Sequence, residues 1–197
     1  MIKVVFVCLG NICRSPTAEG IFRKLVNDAG LSHVIEVDSS GTSNWHVGGP
    51  PDERSTAVAK TRGIDLSSLK SRQAVTDDFH HFDYVIAMDC SNHQKLLSLC
   101  PPGREDRLRL CLSFAPSVGL TDVPDPYYGG DQGFENVTQE DTSLPYVRIL
   151  GQLSAEVNEG DGKYIEGAKP GMIYNNITNE IFDGKKGIKV VVCYYKR

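Results

Sequence analysis

Four short apolar runs, separated by stretches of helical period, restrict the fold more than any other feature of this sequence. They are Lys3-Val-Val-Phe-Val7, His33-Val-Ile-Glu-Val37, Tyr84-Val-Ile-Ala-Met88 and Leu108-Arg-Leu-Cys-Leu112. Strands that alternate with helices build βαβ units on a parallel sheet. The first and third runs are almost wholly apolar, as strands covered on both faces must be. The expectation is an α/β fold with a four-stranded parallel sheet and helices on both faces.

The helices between the runs are readable. Pro16 suits a first helical turn, where its missing N–H would have no partner anyway. Ala18, Phe22, Leu25, Val26 and Ala29 then share one face, and Gly30 stops the helix. A second helix is expected from Asp52 to Arg62, ending at Gly63, and a third from Ser91 to Leu99, stopped by Pro101 and Pro102. After Val137 the character changes. Thr138–Ser143 is polar, and Tyr146, Ile149, Leu150, Leu153 and Val157 mark an amphipathic helix. Met172-Ile-Tyr174, Ile177–Phe182 and Ile188–Tyr195 read as strands, the last two joined by the hairpin loop Asp183–Gly187. The chain is therefore divided into residues 1–137 and an atypical segment 138–197, helix then β-hairpin, that reads as a truncated or fused domain.

Composition excludes several functions. With 197 residues, 40% of them hydrophobic, the chain can bury a core. A net charge of −4 argues against a nucleic-acid surface. The run Val4–Leu9 is too short to span a membrane and no secretory leader precedes it, so a cytoplasmic protein is expected. Cys90, Cys100 and Cys111 lie in or beside apolar runs and are expected to be buried free thiols. There is no C-x-x-C pair and the histidines show no ligand spacing, so neither a metal nor a cofactor is expected. His80 and His81 read as a helix end rather than as catalytic groups.

The loop Cys8-Leu-Gly-Asn-Ile-Cys-Arg14-Ser15, between the first strand and the Pro16-led helix, carries the chemistry. Backbone N–H groups in such a loop, together with a helix N-terminus, form an anion cradle. Gly10 and Asn11 tolerate the left-handed backbone that the turn demands. Arg14 adds a planar fork matched to two phosphate oxygens. Cys8 lies at the bottom of the cradle, where the helix start and the cation favour a thiolate and Ser15 can donate to it. Cleaving a phosphate ester also needs an acid for the leaving oxygen. Asp125, in Val123-Pro-Asp-Pro-Tyr-Tyr-Gly129, follows the fourth strand and would reach the same C-terminal sheet edge. Trp45, in the loop-like Ser-Asn-Trp-His-Val-Gly-Gly, is expected at the rim of the site.

"VCLGNICRSPTAEG", "DSSGTSNWHVG", "FDYVIAMD" and "DPYYGG", in this order, resemble the low-molecular-weight protein tyrosine phosphatases over residues 2–137. The resemblance implies a flavodoxin-like fold of the phosphotyrosine phosphatase I type. It also implies a two-step hydrolysis of phosphotyrosine in a protein, or of a small aryl phosphate. Cys8 would attack phosphorus to give a cysteinyl-phosphate; Asp125 would protonate the leaving phenol and then activate water. Arg14 and the amides of Leu9, Gly10, Asn11, Ile12, Cys13 and Ser15 would hold the phosphoryl oxygens. Asn11 and Ser39 would brace the loop, and Trp45, Tyr127 and Tyr128 would wall the cleft. Cys13 would form a reversible disulfide with the nucleophile under peroxide, and Ile12 favours the tyrosine ester over phosphoarginine. The family requires no metal.

Two departures stand out. Leu69 occupies a place where the family usually has a histidine that orients the bracing residues, so a looser site is expected. After Val137 the family's C-terminal helix is interrupted, and the Pro145–Val157 stripe is expected to substitute for it; residues 144–197 faintly resemble part of a bacteriophage protein. Two alternatives stay open: arsenate reduction on the same fold, with Cys90 and Cys100 as relay thiols, and a catalytically weak phosphate-binding module.

Overall fold

A computed structural model describes residues 1–128, 133, 145–154, 172, 173, 193 and 194. Its centre is a four-stranded sheet of β1 (Ile2–Cys8), β2 (Ile35–Gly41), β3 (Tyr84–Ala87) and β4 (Leu108–Leu110), in the order β2-β1-β3-β4. Every pairing is parallel. The helices are α1 (Arg14–Asp28), α2 (Glu53–Thr61), α3 (Asp78–His81) and α4 (Cys90–Leu99), with residues 145–154 forming α5. The chain turns out of α1 through Gly30, whose φ of 71° is left-handed and is open to glycine without strain.

Alternation along β1 assigns the two faces. Val4, Phe6 and Cys8 point to one side and join Ala18, Phe22 and Val26 of α1. Val5 and Val7 point to the other and meet Phe79, Phe82 and Leu96 from the α3–α4 side. The first face is closed by α5, whose Tyr146, Ile149, Leu150 and Leu153 are all in its core. Phe6 is held edge-on between Phe22 and Tyr146, with ring centroids 5.5 and 5.6 Å away. The Pro145–Val157 stripe thus covers the sheet as its period requires, over the residues described.

Three readings need correction. β2 starts at Ile35 rather than His33 and continues through Asp38, Ser39 and Ser40 to Gly41. These residues have turn-like composition, but parallel pairing with Val5, Phe6, Val7 and Cys8 holds them extended. β4 ends at Leu110; Cys111 and Leu112 lie in a 3₁₀ helix, Cys111–Phe114, where the Ser113 hydroxyl donates to Leu110 O at 2.6 Å. Of the three thiols expected to be buried, only Cys111 is. Cys90 is exposed on the first turn of α4, and Cys100, just past its last turn, is half-buried. His80 and His81 do end a helix. In the C-terminal segment, Met172–Ile173 pairs antiparallel with Cys193–Tyr194; the Ile177–Phe182 strand and the Asp183–Gly187 turn lie outside the described residues.

Candidate active site

β1 delivers Cys8 to the C-terminal edge of the sheet, and α1 begins six residues later at Arg14. The intervening loop is pinned by its carbonyls. Cys8 O accepts from Thr42 N at 2.9 Å, Leu9 O from Ser43 N at 2.9 Å and Ile12 O from Asp52 N at 2.8 Å. Gly10 O accepts from the Ser71 hydroxyl at 3.0 Å. With these carbonyls held outward, the amides of Leu9, Gly10, Ile12 and Cys13 have no protein acceptor among the described residues. A cluster of free N–H groups at a helix start is a site for an anion.

Asn11 makes the turn possible. Its φ of 54° is the one positive value at a non-glycine position among the described residues. Its side chain is fully engaged: Oδ1 accepts from Arg72 N at 2.9 Å, and Nδ2 donates to Ser39 Oγ and Ser15 Oγ, both at 2.9 Å. Gly41 admits the loop to β2, since a Cβ there would come within 2.9 Å of Leu9 O and 3.0 Å of Asn11 N. Ser39 thus meets the Asn11 side chain directly behind the loop. Leu69 packs, partly buried, against the core, and the bracing contacts next to it come from Ser71 and the Arg72 backbone.

Cys8 is almost completely buried, with its Sγ receiving the Asn11 N–H at 3.3 Å and lying 3.1 Å from Ser15 Oγ. Arg14 stands over the loop with its fork held from three points. Nη1 donates to Asp89 Oδ2 at 2.6 Å and to Val123 O at 3.1 Å, and Nη2 donates to Asp125 Oδ2 at 2.8 Å. Burial works against this cation, but Cys8, Asp125 and Asp89 outweigh it and hold its pKa above the ordinary arginine value. Asp125 arrives because Val123 N bonds to Met88 O at 2.8 Å just beyond β3, which brings the 119–125 loop to the same edge. Its Oδ1 accepts from Tyr127 N at 3.1 Å, which starts the short 3₁₀ turn Pro126–Tyr128.

These residues enclose a cavity of about 150 Å³. Cys8, Leu9, Gly10, Ile12, Cys13 and Arg14 line its floor, and Asp125, Trp45 and Tyr127 its walls. Trp45 is 71% and Tyr127 53% exposed, so both are rim residues rather than core. The Arg54 guanidinium stacks 5.5 Å from the Tyr127 ring centroid. Asn11, Ser15 and Ser39 sit behind the lining and shape it. The side chain of Tyr128 lies outside the described residues. Among those residues, no group of three or more acidic, histidine or cysteine side chains could hold a metal ion, and no helix is long and apolar enough to cross a membrane.

Three contributors escaped the sequence reading. His46 lines the cavity beside Trp45. Asp89, whose role the sequence leaves undecided, both aims Arg14 and caps α4 by accepting from Asn92 N at 2.6 Å. Glu19 is buried behind the loop, where Ser39 Oγ donates to its Oε2 at 2.6 Å. Burial, Asp52 and Cys8 push the Cys13 thiol up to about 12, so it is protonated at neutral pH. Cys90 and Cys100 bracket α4; helix rise alone separates their α carbons by about 15 Å, so they do not form a compact thiol pair.

The comparisons with known proteins agree with this geometry. The family model for low molecular weight phosphotyrosine protein phosphatase matches residues 3–156, so the match extends past Val137 and takes in α5. A second model, the Pam3 phage gp34-like protein, matches residues 119–197. The chain is 44% identical over 139 residues to the low molecular weight protein-tyrosine-phosphatase YfkJ of Bacillus subtilis, covering 71% of this chain and 88% of that one. It is 43% identical over 144 residues to the human low molecular weight phosphotyrosine protein phosphatase, covering 70% and 87%. The crystal structure of YfkJ superposes with a TM-score of 0.74 at 40% identity, covering 79% of this chain and 96% of that one. That of the Entamoeba histolytica protein tyrosine phosphatase with Hepes in the active site gives 0.73 at 38%, covering 79% and 99%. With the family model spanning most of its length, the chain belongs to the low molecular weight phosphotyrosine protein phosphatases.

Proposed function

We propose that the chain hydrolyses phosphotyrosine in proteins through a cysteinyl-phosphate intermediate. The observation that carries this reading is the placement of Cys8 on the floor of a cavity whose loop carbonyls are tied outward, with Arg14 beside it and Asp125 in the wall. A bound phosphoryl group takes the free loop amides and the Arg14 fork as donors, where charge on the transferring oxygens is greatest. Cys8 forms a bond to phosphorus as the bond to the phenolic oxygen breaks, and Asp125 gives that oxygen its proton. Asp125, now ionised, takes a proton from water, which attacks phosphorus and releases Cys8 and inorganic phosphate. The phosphate entering the cavity displaces Asp125 from Nη2 of Arg14, and the freed carboxylate takes up a proton from the solvent or from a monoanionic substrate, which it then gives to the leaving oxygen. Trp45 and Tyr127 offer aromatic walls to a phenyl ring, which favours an aryl ester. The reaction needs no cofactor, and a cytoplasmic protein substrate suits the reading.

Release of p-nitrophenol from its phosphate tests the assignment. Cys8→Ser is expected to abolish turnover, and Asp125→Ala to lower kcat by about 10²–10⁴. Turnover that survives Cys8→Ser contradicts the mechanism. Thioredoxin-dependent arsenate reduction by the wild type, or a folded wild type that binds phosphate without turnover, replaces it with one of the alternatives.

A further inference from the structure

Glu19 presents a problem of cost. It lies on α1 one turn after Ser15, is only 2% exposed, and is not part of the cavity wall. Burying a carboxylate is expensive unless every oxygen is satisfied, and a small apolar residue would close this helix face against the sheet at less cost. Its oxygens are both engaged: Ser39 Oγ meets Oε2 at 2.6 Å, and Arg23 Nη2 meets Oε1.

The hydrogen-bond directions around it are fixed from Arg72 N through Asn11 to Ser39 and Glu19. Arg72 N–H points at Asn11 Oδ1, so the amide of Asn11 must turn its two hydrogens to Ser39 and Ser15. Ser39 Oγ is then an acceptor on one side, and its own hydrogen has Glu19 Oε2 as its acceptor. Ser15 Oγ likewise accepts from Asn11, which leaves its hydrogen for Cys8 Sγ at 3.1 Å or for Ser40 O at 3.1 Å. A thiolate at Cys8 draws that hydrogen to itself. We propose that Glu19 is a positioning residue for the reaction: as the end acceptor of the chain Ser15–Asn11–Ser39–Glu19, it holds Asn11 so that Ser15 presents its hydroxyl hydrogen to the Cys8 sulfur. This rests on Cys8 being the nucleophile.

An amide at this position breaks the direction of the chain. In Glu19→Gln the Arg23 guanidinium claims the amide oxygen, so the new NH₂ faces Ser39, which already accepts from Asn11, and the Ser39 hydrogen loses its acceptor. The ionised carboxylate is also what the pH dependence reads. Burial raises the Glu19 pKa, Ser39, Arg23 from α1 and Arg72 from the segment before α3 oppose it, and Asp38 from β2 adds to it, with a net upward result. Protonation on Oε2 would reverse the Ser39 bond as the amide does.

Steady-state kinetics on p-nitrophenyl phosphate test the chain in the full-length protein, with Cys8→Ser as a control. Glu19→Gln and Ser39→Ala are each expected to lower kcat by about tenfold with KM within about twofold, and the double variant to lose no more than either single one. Losses that multiply to about a hundredfold in the double variant overturn the proposal, as does a Glu19→Gln protein with wild-type kcat. Arg23→Met supplies a second arm that leaves Glu19 in place, since Arg23 is half exposed. Losing that cation raises the Glu19 pKa further, so the acid limb of kcat is expected to move to higher pH with its plateau kept. An unmoved limb overturns the proposal. Turnover in Cys8→Ser instead overturns the nucleophile reading beneath it, so the two failures are distinguishable.

Discussion

The two flanks of the Cys8–Ser15 loop are built from different physics. On one flank Asn11, Ser39, Ser71 and the Arg72 amide form a lattice of hydrogen bonds between uncharged groups at 2.9–3.0 Å, with the Glu19 carboxylate behind it. On the other, Arg14 is clamped by two carboxylates at 2.6 and 2.8 Å, both on side chains with some solvent exposure. The neutral lattice fixes backbone shape, because short dipoles lose their bonds with small displacements and cannot be screened by salt. The ionic clamp stores a cation beside the cavity in a geometry that an incoming dianion can exchange for its own. One flank is architecture; the other is a ligand site already half-occupied by protein carboxylates.

Substitutions that separate shape from charge break this comparison most clearly. Arg14→Lys removes the planar fork but keeps the cation, and kcat for p-nitrophenyl phosphate is expected to fall by about 10²–10³ with the fold intact by circular dichroism. A variant within threefold of wild type would mean that point charge alone suffices. Asn11→Ala attacks the other flank: it empties the lattice and places a Cβ residue at φ 54°. We expect a lower melting temperature together with a loss of activity. Asn11→Gly loses the same bonds without the left-handed strain, so the pair should differ by about 1–2 kcal/mol in denaturant unfolding. Equal stabilities would show that the backbone of residue 11 is not strained. The smallest effect is expected from Asp89→Asn, because asparagine caps a helix as well as aspartate does and α4 should keep its stability within about 0.5 kcal/mol. Only the aim of Arg14 suffers, and kcat/KM should drop by about tenfold. A large loss of stability without loss of kcat/KM would assign Asp89 to the helix alone.

How much of this was legible follows from how far apart the cooperating residues are in sequence. β1, the loop and α1 are contiguous, and the apolar run, Gly10, Asn11 and Pro16 declare their structure locally, so Cys8, Arg14 and the cradle could be read. Trp45 was legible as a rim residue because loop composition marks exposure, whereas Tyr127 entered as a cleft wall through the family resemblance alone. Asp125 was reachable through a topological rule, that loops following parallel strands gather at one edge. Glu19 was not. On the helix pattern alone it is an ordinary polar residue of α1, and only the parallel register of β1 with β2 brings Ser39 against it. The same pairing extends the second strand past Val37 to Gly41. Asp89 was hidden because its two tasks, capping α4 and aiming Arg14, need β3 to be seen beside the loop. The α5 stripe was readable from its period; that complete burial pushes the Cys111 thiol up to about 12, against an opposing hydrogen bond with Tyr146, was not.

The account stands on a phosphorus–sulfur bond forming at Cys8. Rapid acid quench of Asp125→Ala during turnover of an aryl phosphate, followed by mass analysis of the peptide spanning the loop, measures it directly. With p-nitrophenyl phosphate, whose leaving group departs without a proton, water activation is the step that Asp125→Ala limits, so the intermediate should persist, and one phosphoryl group should appear on Cys8 and vanish in the Cys8→Ser, Asp125→Ala double variant. A phosphoryl group found on another residue, or steady turnover with none on Cys8, would contradict it.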